Sequence, residues 1–167
     1  MGNNPLPTSD CVKYLGLHLN RRLTWSKHIK AKKKEATIQL KRLSWLLGRE
    51  SQLFLDDKLL VYKVITKPIW TYGVELWGSA SKSNIDILQR YQNILRTISK
   101  APWFVRNTEI HEHLRMPTVK EEIAKSSKRY KERLTQHTNE LARGLMNNEQ
   151  DTVRLKRWQI TNLDRRQ

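Results

Sequence analysis

DDKLLVYKVITKPIWTYGVELW, residues Asp56 to Trp77, reads as a long helix with more apolar surface than a simple surface element needs. On a helical wheel Leu60, Val61, Val64, Ile65, Pro68, Ile69, Tyr72 and Leu76 spread over about half the circumference. That width predicts a central rod covered by neighbours on several sides. Asp56 and Asp57 suit a helix N-terminus, where negative charge meets the positive end of the backbone dipole, and Gly78 permits a stop. Pro68 lacks a donor and crowds the carbonyl of Val64, which predicts a kink rather than a break.

Upstream of the rod, VKYLGLHLN alternates, with Val12, Tyr14, Leu17 and Leu19 fitting one short strand and Gly16 allowing a bulge. A lone strand leaves its backbone groups unpaired, and no second strand is evident elsewhere. Thr24 is placed to cap a helix running to about Leu47, with Gly48 as its stop. Trp25, Ile29, Ala36, Leu40, Leu43 and Leu47 fall on one face of it. Lys27, Lys30, Lys34 and Lys41 fall on roughly the opposite face, and Lys32 and Lys33 flank the apolar stripe.

Downstream, a helix from about Ser83 to Lys100 shows Ile85, Leu88, Gln92, Leu95 and Ile98 as its inner row, and Ala101–Val105 breaks it at proline. A short helix is expected over Thr108–Leu114. Thr118 and Glu121 fit a capping box, in which hydroxyl and carboxylate satisfy each other's backbone donors, at the start of a helix to about Gln136. A last short helix over Asn139–Met146 precedes a polar, then basic, tail. The chain divides into residues 1–22, a loose start and strand; 23–102, a helical bundle; and 103–167, a helical extension with a basic tail.

Thirty-two Lys and Arg against 16 Asp and Glu leave a net charge of +16, which predicts attraction to polyanions, nucleic acid before acidic membrane. The first 50 residues carry 11 of the basic groups against 3 acids, so the flanks supply field and the middle supplies core. Six tryptophans and 38% hydrophobic residues argue for a packed body rather than a disordered polycation. No apolar run approaches the roughly 20 residues of a spanning helix, and no secretory signal opens the sequence. Cys11 is the one cysteine. It can form no internal disulfide, so an intracellular protein is expected.

Phe54-Leu55-Asp56-Asp57 has the look of the aromatic-x-Asp-Asp turn that holds metal ions in RNA-copying polymerases. No hairpin alternation flanks it and a helical run follows, so it reads as two acids in a first helical turn. His111 and His113 stand two apart, on different sides of a helix, and lack the spacing of a shared metal site. The lysine face of the first long helix is the stronger signal. Lys27, Lys30, Lys34 and Lys41 make a ribbon about 20 Å long that could neutralise several phosphates together. Such contacts give affinity without base preference. Lys128–Arg133 and Arg154–Arg157 are secondary basic candidates, and Trp70, Tyr72 and Trp77 are expected in the core rather than stacking on bases.

Several segments taken in order resemble a known family. These are Val12–Gly16, Leu23-Thr24-Trp25 with His28-Ile29, Leu59–Lys63, Lys67–Gly78, Ile87–Arg90, Ala101-Pro102-Trp103 and Pro117–Glu122. Together they resemble the end of a non-LTR retrotransposon reverse transcriptase of the jockey type, over residues from about 12 to 135. The resemblance implies that Tyr14-Leu15-Gly16 matches the primer-grip strand and that the helices from Thr24 to about Lys100 match the thumb, which closes on the template–primer duplex. It also implies that the catalytic aspartates and their Mg2+ belong to a palm that lies upstream and outside this sequence, as do the fingers. The chain alone is then expected not to polymerise.

Mainly α is therefore the expected fold: a thumb-like helical bundle preceded by a short β-strand, with a helical C-terminal extension. The expected binding residues are Tyr14, Leu15, Gly16, Lys27, Lys30, Lys33, Lys34 and Lys41, and no cofactor is expected in the chain. The partners implied are RNA or RNA–DNA hybrid duplex and the palm and fingers of the parent polymerase, with no membrane and no small-molecule substrate. A nuclear location follows if the chain behaves as the family does. The alternative is an independent basic helical module that binds nucleic acid or protein and has no enzymatic activity.

Overall fold

A computed structural model describes residues 9–144. The tail from Asn147 with its Arg154–Arg157 cluster, residues 1–8 of the N-terminal stretch, and the last two positions of the helix expected over Asn139–Met146 lie outside them. The described chain is mainly α. Its opening differs from the expectation of one unpartnered strand: β1 (Cys11–Tyr14) and β2 (Leu17–Asn20) form an antiparallel hairpin, with Val12 opposite Leu19 and Tyr14 opposite Leu17. The reason lies at the tip. Leu15 and Gly16 both take positive φ, 44° and 76°, and a two-residue turn of that hand matches the twist of the strands it joins. The alternation that looked like one strand is two short ones folded back on each other.

Helix α1 (Ser26–Arg42) starts one residue later than expected and without a side-chain cap. Thr24 is already used, because its backbone N–H and hydroxyl both bond the Asn20 side chain at the end of the hairpin. Trp25 turns the chain into the helix in a left-handed conformation, φ 61°, and its ring is buried. The helix also ends early. Leu43 interrupts it, and α2 (Ser44–Leu47) carries Leu47 into the core.

The central rod is α3 (Leu55–Val61), one wide turn at Tyr62–Thr66, α4 (Lys67–Thr71) and α5 (Val74–Trp77). In the wide turn the N–H of Lys67 reaches back five residues to the carbonyl of Tyr62. The expected distortion at Pro68 therefore takes the form of an extra residue just before it, which eases the clash between the proline ring and the turn below. A sharper break follows at Gly73, which has φ 67°.

Which side of the rod is buried differs from the expectation. Leu59, Tyr62, Thr66, Trp70, Val74 and Trp77 face inward, each no more than 5% exposed. Leu60, Val64, Ile65, Tyr72 and Leu76 are between 38% and 63% exposed. Three of the rod's rings, those of Tyr62, Trp70 and Trp77, turn inward, where their large area is best buried, and Leu60, Val64, Ile65 and Leu76 are left largely in solvent. Lys58 is buried too. Its ammonium bonds the carbonyls of Gly48 (3.0 Å) and Ser51 (3.2 Å), fastening the loop before α3.

Around the rod pack α6 (Lys82–Tyr91), α7 (Ile94–Ile98), α8 (Asn107–His113) and α9 (Val119–Thr135), and α10 (Glu140–Gly144) follows against α9. Of the expected inner row of the Ser83–Lys100 segment, Leu88, Gln92, Leu95 and Ile98 are buried and Ile85 is half-buried, and the helix is broken after Tyr91. The capping box at α9 is present: Thr118 Oγ1 accepts from the Glu121 N–H, and Glu121 Oε2 accepts from the Thr118 N–H. Two apolar clusters result. Trp25, Ile29, Trp70, Trp77, Leu88, Val119 and Ile123 belong to one, and Leu47, Leu59, Tyr62, Leu95, Ile98, Ile110 and Met116 belong to the other. The rod passes from the second to the first across its wide turn.

Candidate nucleic-acid interface

Helix α1 has one buried face because Trp25, Ile29 and Ala36 recur at helical spacing against α4 and α6. The opposite face is then fixed outward, and it carries Lys27, Lys30, Lys34 and Lys41, with Lys33 at the edge of the buried stripe, all five exposed. Four of them converge. Lys30, Lys33, Lys34 and Lys41 line one open groove of 540 Å³ with Thr37, Ile38 and Ile87. Lys27 stands on the same face beyond the groove.

Among the described residues no carboxylate lines this groove. Glu35, the acid within α1, is drawn to Lys32 at 3.0 Å. Among the described residues, none of the five lysines has an Asp or Glu within salt-bridge distance. Ile38 is 43% exposed and gives the groove an apolar floor, a feature the lysine spacing alone did not reveal. Ile87 comes from α6, fifty residues away, and only the packing of α6 on α1 brings it there.

Tyr14, Leu15 and Gly16 do not join this groove. They form the hairpin tip, with Tyr14 and Leu15 exposed, and the tip is held by Tyr72 of the rod: its hydroxyl bonds the Leu15 carbonyl at 2.7 Å. Lys32 lies over the Tyr72 ring, 5.2 Å from its centre. Two residues along a helix are about 200° of rotation, so Lys32 with the hairpin and Lys34 with the groove sit on nearly opposite sides of α1. Tyr72 is also the exception to the expected aromatic core, since Trp70 and Trp77 are buried and it is not.

His28, beneath the hairpin, is fully buried, and its Nδ1 accepts from the His18 N–H at 3.4 Å. Burial first, then Lys32 and His18, pushes the imidazole down to about 4. Asp56 and Asp57 lie exposed in the first turn of α3, on a helix rather than in a hairpin turn. His111 is buried and bonds the Met116 carbonyl at 2.9 Å, while His113 faces out. In Lys128–Arg133, Arg133 is engaged within the molecule, 3.6 Å from Glu75 and over the Tyr130 ring. Among the described residues no helix is long and apolar enough to cross a membrane.

Fold and charge together define a basic, mainly helical body with a lysine-lined groove. Sequence comparison supplies the relatives. The chain is 42% identical over 160 residues, 95% of its length, to a probable RNA-directed DNA polymerase from transposon X-element of Drosophila melanogaster. It is 42% identical over 136 residues to a probable RNA-directed DNA polymerase from transposon BS, and 37% over 134 residues to the RNA-directed DNA polymerase from mobile element jockey, both of the same fly. Over most of its length it is therefore similar to one part of the RNA-directed DNA polymerases of these transposons, jockey among them, as the ordered segments implied. The matches span 15% to 18% of the length of these relatives, so the chain corresponds to a small part of such a polymerase. No family model matches it, and no solved structure is significantly similar.

Proposed function

We propose that this chain is the primer-grip, thumb and downstream part of a reverse transcriptase, and that it grips RNA–DNA hybrid duplex or RNA through phosphates along α1. Nucleotide transfer, and the Mg2+ it uses, would belong to palm carboxylates elsewhere in the polymerase. The observation that carries this reading is the convergence of Lys30, Lys33, Lys34 and Lys41 on one groove that no carboxylate of the described residues lines. Fixed positive charges at helical steps match a charged backbone without reading its sequence. The exposed aliphatic side of the rod supports the other expected partnership: Leu60, Val64 and Leu76 are an apolar surface of the kind that a palm or fingers would cover.

A second reading, an independent basic module, gains from the hairpin, which satisfies its own pairing within the chain. Titrating the chain with labelled hybrid duplex at several salt concentrations separates binding through phosphates from binding through other contacts. The proposal expects affinity that falls steeply with salt and drops when Lys30, Lys34 and Lys41 become glutamate. Affinity indifferent to both would refute it.

A further inference from the structure

The loop joining α7 to α8 exposes two adjacent rings on a rigid mount. Trp103 is 88% exposed and Phe104 is 69% exposed. They are the central residues of a tight turn closed by the Val105 N–H on the Pro102 carbonyl at 3.3 Å. Arg96 braces that turn from below. Its guanidinium donates to the Pro102 carbonyl, to the Val105 carbonyl at 2.5 Å and to Asn107 Oδ1 at 3.0 Å. Asn107 in turn donates to Asn93 Oδ1 at 2.9 Å. The backbone on both sides of the aromatic pair is fixed, while the rings are left out, 6.0 Å apart and nearly perpendicular.

Large rings held in water on a braced turn are an interaction feature rather than a packing one. The neighbouring charge says what kind. Lys100 and Arg106 flank the turn and are exposed, and residues 87–108 contain no Asp or Glu. A polyanion whose subunits carry flat faces meets both conditions, since bases stack on aromatic rings while cations hold the adjoining phosphates.

We propose that the Trp103–Phe104 turn is a stacking platform for an unpaired base of single-stranded nucleic acid, with Lys100 and Arg106 meeting the phosphates on either side. This extends the grip reading: the lysine groove holds duplex, and the turn takes a strand that has left it. Neither the relatives nor the lysine pattern assigns the turn a role.

The test uses the full chain and three probes: a blunt RNA–DNA hybrid, the same duplex with a single-stranded RNA overhang, and the same duplex with a DNA overhang. Wild type should bind the overhang probes more tightly than the blunt one. Replacing both rings, Trp103→Ala with Phe104→Ala, should abolish that preference, a loss of roughly tenfold for a stacked base, with the blunt affinity and salt dependence unchanged. Trp103→Phe should keep most of it, and melting temperature should stay put because both rings are in solvent. The RNA and DNA arms say which strand the platform prefers. An overhang preference that survives the double substitution, as a protein-docking turn would give, overturns the proposal. So does an equal loss on blunt and overhang probes. Failure of the grip reading looks different: the blunt probe would then ignore Lys30→Glu, Lys34→Glu and Lys41→Glu.

Discussion

Tyr72 and Gly16 lie face to face across the seam between rod and hairpin, so that a Cβ on Gly16 would come within 3.2 Å of the tyrosine ring. The seam is reciprocal. A Cβ on Gly73, next to Tyr72, would meet Leu17 of the hairpin at 2.6 Å. Both glycines have positive φ. Gly16→Ala is expected to cost about 1–2 kcal/mol from the backbone conformation alone, with steric contact adding to it. Tyr72→Phe keeps the ring and loses the bond to Leu15, a loss of about 1 kcal/mol or less at an exposed site. Urea unfolding checks both, and a Gly16→Ala variant as stable as wild type would contradict the turn.

The rod should respond unequally on its two sides. Trp70→Ala empties a buried position in the larger cluster and is expected to cost about 3–5 kcal/mol. Val64→Lys, at a site 63% exposed, is expected to change stability by about 0.5 kcal/mol or less. Thermal or urea denaturation of the two variants measures the difference. Comparable losses would mean that the aliphatic side is packed after all.

Acid should weaken the fold through His28. Its folded pKa of about 4 lies below the unfolded value of 6.5, so between those two values the unfolded chain binds more protons. Stability contributed by the neutral buried ring is complete above about pH 6.5 and is lost as the pH falls toward 4, up to about 3 kcal/mol in all. His28→Gln should flatten that part of the stability–pH curve. An unchanged slope between pH 6.5 and 4 would show that His28 is not the group responsible.

Much of the helix pattern was legible in the sequence, because capping chemistry and spacing are local. Thr118 and Glu121 announce α9, and Leu88, Leu95 and Ile98 announce the inner row of α6 and α7. The hairpin was missed because its turn is Leu-Gly rather than the Asn-Gly or Asp-Gly that usually signals one, so the alternation ran through it unbroken. The rod's buried side was misjudged for a different reason. Lys58 and Thr66 interrupt the arc that carries Tyr62, Trp70 and Trp77, making it look less apolar than the aliphatic arc, and Lys58 is buried only because two loop carbonyls receive it. At the candidate site the lysine face followed from spacing. The groove did not, since Ile87 arrives by tertiary packing, and neither did the separation of that groove from the hairpin tip.

The most direct measurement is the slope of log affinity against log salt for hybrid duplex, wild type against Lys30→Gln, Lys34→Gln and Lys41→Gln combined. Each lysine that contacts a phosphate contributes about 0.9 to the steepness of that slope, so the triple variant should be shallower by roughly two to three. Superimposable slopes, with the variant folded, would contradict a phosphate grip along α1.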